Sequence, residues 1–216
     1  MVTLISILDA DDVLLNTGKA KVVWIRRNLN YADLEDKLRT VESINPWECN
    51  RTDITPIIGH ENYERMGAFV YSREGTLPIQ PIDGALQGVA ELSSLGEIYV
   101  LSARKPEFTE NVKEWLNNNG FYRYIKHDNV SSVSDPRYKD TPAVADSKKV
   151  GIAVEVGADM FVDDDRRHMP KEFLEGLQCL LFGETERKDI KPYIRIARNW
   201  GDVILCAREI AKYKTG

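Results

Sequence analysis

Three carboxylates crowd four positions at the end of an apolar run, where Asp9, Asp11 and Asp12 follow Leu4-Ile5-Ser6-Ile7-Leu8. Like charges this close repel, so each must stay hydrated or meet a positive partner. Side chains alternate along an extended chain, which sends Asp9 and Asp11 to one side and Ala10 to the other. Such a pair at the carboxyl end of a buried strand can divide nucleophilic and acid/base work. Two further apolar runs end in groups that suit it: 97–101 leads into Ser102, Ala103 and Arg104, and 160–162 leads into Asp163, Asp164 and Asp165.

Converging at one sheet edge, these strand ends would gather about five carboxylates, which is untenable near neutral pH without a divalent cation. Mg²⁺ is the natural choice, because the donors are hard oxygens and no His or Cys lies within these motifs. With the cation screening repulsion, Asp9 can attack phosphorus and form an aspartyl-phosphate. Asp11 can protonate the leaving oxygen and later take a proton from water. Ser102 can donate to a phosphoryl oxygen, and a lysine would stabilise the transferring group. Lys148 and Lys149, before the acidic strand, both qualify.

The elements that must position these groups read as α/β. The first strand spans 3–8, and the texture is then helical to about residue 72, with Val22, Val23, Ile25 and Leu29, then Leu34, Leu38 and Val41, near a helical repeat. Another helix is expected over 61–71, and 44–53 reads as a loop. After the breaker-rich 75–81, helices over 82–95, 106–118, 146–156, 171–177 and 201–213 alternate with strands over 97–101, 124–126, 160–162 and 178–182. The polar segment 128–142 reads as irregular. This alternation predicts a three-layer, Rossmann-like, mostly parallel sheet with ligands beyond the carboxyl ends of its strands.

Across 216 residues, 43% are hydrophobic and 29% charged, which is the composition of a soluble globular chain. A net charge of −5 gives no general attraction to phosphate backbones or anionic membranes, so extended nucleic-acid binding is disfavoured. Met1 leads straight into a strand and no run approaches a membrane span, so the expected compartment is cytoplasmic. Cys49, Cys179 and Cys206 lack any CxxC spacing and read as small buried residues. His168 reads as a surface-loop residue, and Trp200 as packing the last helix on the sheet.

In their order, the four motifs resemble the haloacid dehalogenase-like (HAD) phosphohydrolases: Asp9-x-Asp11 after a first strand, an apolar strand ending in Ser102, a lysine opening a helix, and an apolar strand ending in Asp163-Asp164. The resemblance covers 1–14 and 77–216 as catalytic core and leaves 15–76 as a small helical cap inserted after the first strand. It implies Asp9 as nucleophile and Asp11 as general acid/base. It also implies Mg²⁺ held by Asp9, the Asp11 backbone carbonyl, Asp163 and Asp164, and substrate held by Ser102, Ala103, Arg104 and Lys149. Lys148 stays open as a substitute for Lys149, and Asp165 has no assigned role.

A finer similarity runs through Leu77-Pro78, Pro81-Ile82-Asp83-Gly84-Ala85, Val100-Leu101-Ser102-Ala103-Arg104 and Arg195-Ile196-Ala197-Arg198-Asn199-Trp200, which looks like the 5′(3′)-deoxyribonucleotidase branch. It implies a (deoxy)nucleoside monophosphate, or a similar small phosphate, as substrate. Ser102-x-Arg104 also resembles the phosphatase domain of polynucleotide kinases, which implies a 3′-phosphatase on nucleic-acid ends. A silent nucleotide-binding protein on the same fold is a further alternative, and homodimerisation stays open. A receiver-type signalling domain fits less well, since its motifs come in another order. In the cap, Trp24, Arg26, Arg27, Trp47, Arg51 and Tyr63 could stack on a base or grip an anion, although core packing and solvation account for most such residues.

Overall fold

Five parallel pairings build one six-stranded sheet in the order β3-β2-β1-β4-β5-β6. The strands are β1 (Leu4–Leu8), β2 (Gly96–Ser102), β3 (Val130–Ser132), β4 (Met160–Asp163), β5 (Gln178–Phe182) and β6 (Ile194–Ala197). A computed structural model describes residues 3–29, 51–144, 148–183 and 190–215. The chain leaves β1 toward β2 on one side and resumes at β4 on the other. The order therefore reverses around β1, which is where a doubly wound sheet opens its ligand crevice.

Helices follow the strands as α1 (Thr17–Asn28), α2 (Arg51–Ile58), α3 (His60–Val70), α4 (Arg73–Thr76), α5 (Ala85–Leu95), α6 (Pro106–Asn118), α7 (Lys149–Glu155) and α8 (Trp200–Thr215). Alternation along β1 sends Leu4 and Leu8 into an apolar cluster with Val89, Leu92, Val112, Trp115 and Val203, while Ile7 packs with Val150, Ile152, Phe161 and Leu181 on the opposite face. Helices α5, α6 and α8 thus cover one face and α7 the other, giving three layers. Trp24, Ile25, Ile54, Ile58, Met66 and Val70 join the first cluster, so α1, α2 and α3 share its core. No helix among the described residues is long and apolar enough to cross a membrane.

Several sequence expectations need correction. Residues 124–126 form no strand; Phe121–Arg123 and His127–Asn129 are short 3₁₀ turns, and the strand is Val130–Ser132, inside the segment expected to be irregular. Residues 171–177 form no helix, because Gly176 adopts φ +82°, Phe173 is exposed and only Leu177 is buried, which leaves no apolar stripe. Strand β6 was not foreseen. Gly84, left-handed at φ +79°, delays α5 to Ala85. In α1, Val23 is exposed while Lys21, Trp24 and Ile25 are buried. Of the expected loop 44–53, residues from Arg51 onward open α2; Leu34, Leu38, Val41, Trp47 and Cys49 lie outside the described residues, as do 146–147 of the expected helix 146–156.

Candidate active site

The turn after β1 is tied down by backbone bonds. Leu14 and Leu15 both donate to the Ala10 carbonyl at 3.0 Å, and Asp12 donates to Leu15 at 2.7 Å. Closing so tight a turn puts Asp12 at φ +55°, a left-handed conformation that aspartate tolerates better than most residues. Its carboxylate accepts from the Gly18 amide at 2.6 Å and so caps the start of α1. Trp200 Nε1 donates to the Val13 carbonyl at 3.1 Å, and Trp115 Nε1 to Ile79 at 2.7 Å, fixing the turn and the returning chain to the helical layer.

Asp9 and Asp163 end the neighbouring strands β1 and β4. Between them sits the ammonium of Lys149, 2.7 Å from Asp9 Oδ2 and 2.7 Å from Asp163 Oδ2, with its side chain fully buried. Lys149 opens α7, whose buried face aims it at the strand ends, whereas Lys148 donates to the Tyr138 and Lys139 carbonyls. The structure thus brings Lys149, and not Lys148, to Asp9 and Asp163. Burial would lower its pKa, yet the two carboxylates hold it above the ordinary lysine value.

One ammonium does not balance the acids around it. Burial raises the Asp9 carboxyl to about 7, against the pull of Lys149. Asp164 is raised well above the ordinary range by burial and by Asp12, Asp163 and Asp9, and burial lifts Asp12 to about 6. Asp163 goes the other way: Lys149 and then His168 outweigh burial and hold it below the usual carboxylate value.

Asp11 is gripped separately. Arg104 donates through Nε at 2.9 Å and Nη2 at 2.6 Å, and Thr17 Oγ1 donates at 2.5 Å. Although burial works against ionisation, this fork keeps the Asp11 carboxyl at about 2. Arg104 also donates to Thr76 Oγ1 at 2.8 Å and lies over the Tyr71 ring, 4.7 Å from its centroid. Its guanidinium is thus committed to Asp11 and does not line the cavity. Ser102 is fully buried, and its Oγ accepts from the Arg104 amide at 3.1 Å.

A cavity of about 160 Å³ opens at these strand ends, with Asp9, Asp11, Asp12, Ala103, Asp164 and Asp165 among its lining. Lys21, Tyr63, Tyr71, Arg167 and His168 complete it. Sequence reasoning gave Asp12 no task and did not single out Lys21 or Tyr71, and all three line the cavity. Lys21 could have been found as the residue one helical turn beyond Thr17. Of the other cap residues, Trp24 is core, Arg27 faces a separate groove and Tyr63 reaches the cavity. His168, expected on a surface loop, instead places Nδ1 3.1 Å from both Asp163 oxygens. Asp165 caps the Arg166–His168 turn through the Arg167 amide at 2.9 Å and pairs with the Arg167 guanidinium.

The fold resembles known structures along nearly the whole chain. A HAD-superfamily hydrolase from Geobacter sulfurreducens superposes with a TM-score of 0.57 at 15% identity over 95% of this chain and 96% of that one. The fold is that of the HAD-superfamily hydrolases. A putative HAD-hydrolase from Bacillus subtilis bound to magnesium gives 0.58 at 11% identity over 96% and 99% of the two chains. L-2-haloacid dehalogenase from Xanthobacter autotrophicus, with chloropropionic acid covalently bound, gives 0.55 at 14% over 96% and 99%. No family model and no curated protein sequence matches the chain.

The donor set suits a cation in this HAD-like crevice. Ligand atoms of Asp9, Asp163 and His168 lie within 4.8 Å of one another, and Asp164 lines the same cavity. Carboxylates raised by burial, and then by neighbouring acids, are the groups a divalent ion would stabilise in ionised form.

Proposed function

We propose that the chain is a Mg²⁺-dependent phosphomonoesterase working through an aspartyl-phosphate on Asp9. The observation that carries this is the pinning of Asp9 and Asp163 to one buried lysine, with further acids around a small cavity at the strand ends. Asp9, Asp163, Asp164 and the Asp11 carbonyl would hold Mg²⁺, which supplies charge screening for an anionic substrate.

The chain's own groups then divide the work. An Asp9 oxygen attacks phosphorus, the phosphorus–oxygen ester bond breaks, and the leaving oxygen takes a proton from Asp11. Water next attacks the aspartyl-phosphate, gives its proton to Asp11, and frees phosphate and the Asp9 carboxylate. Held ionised by Arg104, Asp11 stands ready for this second half; the acid half requires its carboxyl to loosen from that fork and take up a proton from solvent before it protonates the leaving oxygen. Ala103 lines the cavity that would hold the phosphoryl group, and Lys149 acts on the reaction through the Asp9 carboxylate that it pins. Ser102, buried behind the lining, steadies the Arg104 amide.

Residues 15–76 act as a cap over the core formed by 1–14 and 77–216, and contribute Lys21, Tyr63 and Tyr71 to the cavity. The substrate we assign is a small phosphate of the (deoxy)nucleoside monophosphate class, with phenolic rings suited to contact a base. The test is a Mg²⁺-dependent phosphate-release screen over ribo- and deoxynucleotides, sugar phosphates and 3′-phosphorylated oligonucleotides, run on the native chain and Asp9→Asn. Release from mononucleotides that vanishes in Asp9→Asn supports the proposal, and preference for oligonucleotide ends would replace it with the 3′-phosphatase reading. The dehalogenase among the fold's relatives makes carbon a second target for Asp9, tested by halide release from 2-haloacids. Attack at carbon needs no cation, so the acid cluster favours phosphorus.

A further inference from the structure

We infer that His168 is a direct ligand of the divalent cation at Asp9 and Asp163, giving this site a nitrogen donor and a preference for transition ions such as Mn²⁺ and Co²⁺ over Mg²⁺. The inference rests on the metal site proposed above and changes its ligand chemistry. Asp165 shapes the turn that delivers the ring: its side chain accepts from Arg167 at 2.9 Å and its carbonyl accepts from the His168 amide at 2.9 Å. Nδ1 therefore points inward, at 3.1 Å from each Asp163 oxygen, and the ring lines the same cavity as Asp9 and Asp164.

That spacing is the one co-ligands adopt. Two donors at about 2.1 Å from an ion, set at right angles, lie about 3.0 Å apart. His168 and Asp163 thus need no large movement to share an ion, and Asp9 offers its ligand atom within 4.8 Å of both. An imidazole nitrogen favours later first-row ions, whereas an all-oxygen set suits Mg²⁺. The competing role is that of an outer residue, in which Nδ1 donates to Asp163 and only orients it.

The two roles separate in the bound metal's spectrum. Metal-free protein is loaded with Mn²⁺ and its electron spin-echo envelope recorded, and Co²⁺ and Mg²⁺ are titrated separately by calorimetry. The native chain should show modulation from a directly bound nitrogen, absent in His168→Ala and His168→Gln. Both variants should lower the Co²⁺-to-Mg²⁺ affinity ratio by about tenfold. The Gln variant keeps a donor to Asp163, and melting curves check that both variants fold. Bound Mn²⁺ without nitrogen modulation in the native chain would overturn the inference while leaving metal-dependent chemistry standing. Failure to bind any divalent ion would overturn both.

Discussion

Lys148 and Lys149 are neighbours in sequence with opposite fates. The first satisfies two backbone carbonyls, while the second bridges two buried acids. Lys149→Ala leaves uncompensated buried charge and should lower unfolding free energy by about 3–5 kcal/mol in a denaturant titration. Lys148→Ala, losing ordinary hydrogen bonds, should cost about 1 kcal/mol. Arg104 offers a kinetic contrast, because Arg104→Lys keeps the charge but loses the fork around Asp11. Its kcat for phosphate release should fall about 100-fold, the scale of one misplaced acid/base group. The acids were legible in the sequence because two apolar runs, 4–8 and 160–162, end in them. The arginine's use was not, since the pairing of Arg104 with Asp11 joins residues far apart in the chain.

At the scale of elements, β2 must approach β1 closely where Gly96 faces Leu4. A Cβ there would lie 1.9 Å from the Leu4 carbonyl oxygen, a backbone atom that cannot step aside. Gly96→Ala should therefore destabilise by about 3 kcal/mol or more, read as a lowered midpoint in chemical unfolding. Longer elements were legible because burial stamps a period on them: α6 begins at Pro106 and ends at Asn118 as its pattern and flanking signals indicate. Short ones were not. β3 has three residues, two of them serine, and β6 has four, with Arg195 and Ile196 exposed. Neither offers enough alternation for a strand to be read from sequence.

Across the whole molecule, the site keeps carboxylates protonated, by burial first and by neighbouring acids second. Asp9 and Asp12, raised to about 7 and about 6, keep protons in the folded state that the unfolded chain has already released. Stability from these two groups is present below about pH 4 and lost as pH rises through about 6 to 7. Thermal melts in chelator should therefore fall between about pH 4 and 7, and saturating divalent cation should recover much of the loss by favouring the ionised site. Flat melts in chelator over that window would remove the electrostatic account of the cavity. The sequence already implied this crowding, but its solvent exclusion emerges only when β1, β4 and α7 pack together. The most direct test of the central claim is acid quenching during Mg²⁺-dependent turnover of a labelled phosphomonoester, with mass spectrometry locating the phosphoryl group. Label on the Asp9 peptide, absent in Asp9→Asn, is the expected result. Turnover with label elsewhere, or undiminished turnover in Asp9→Asn, would contradict it.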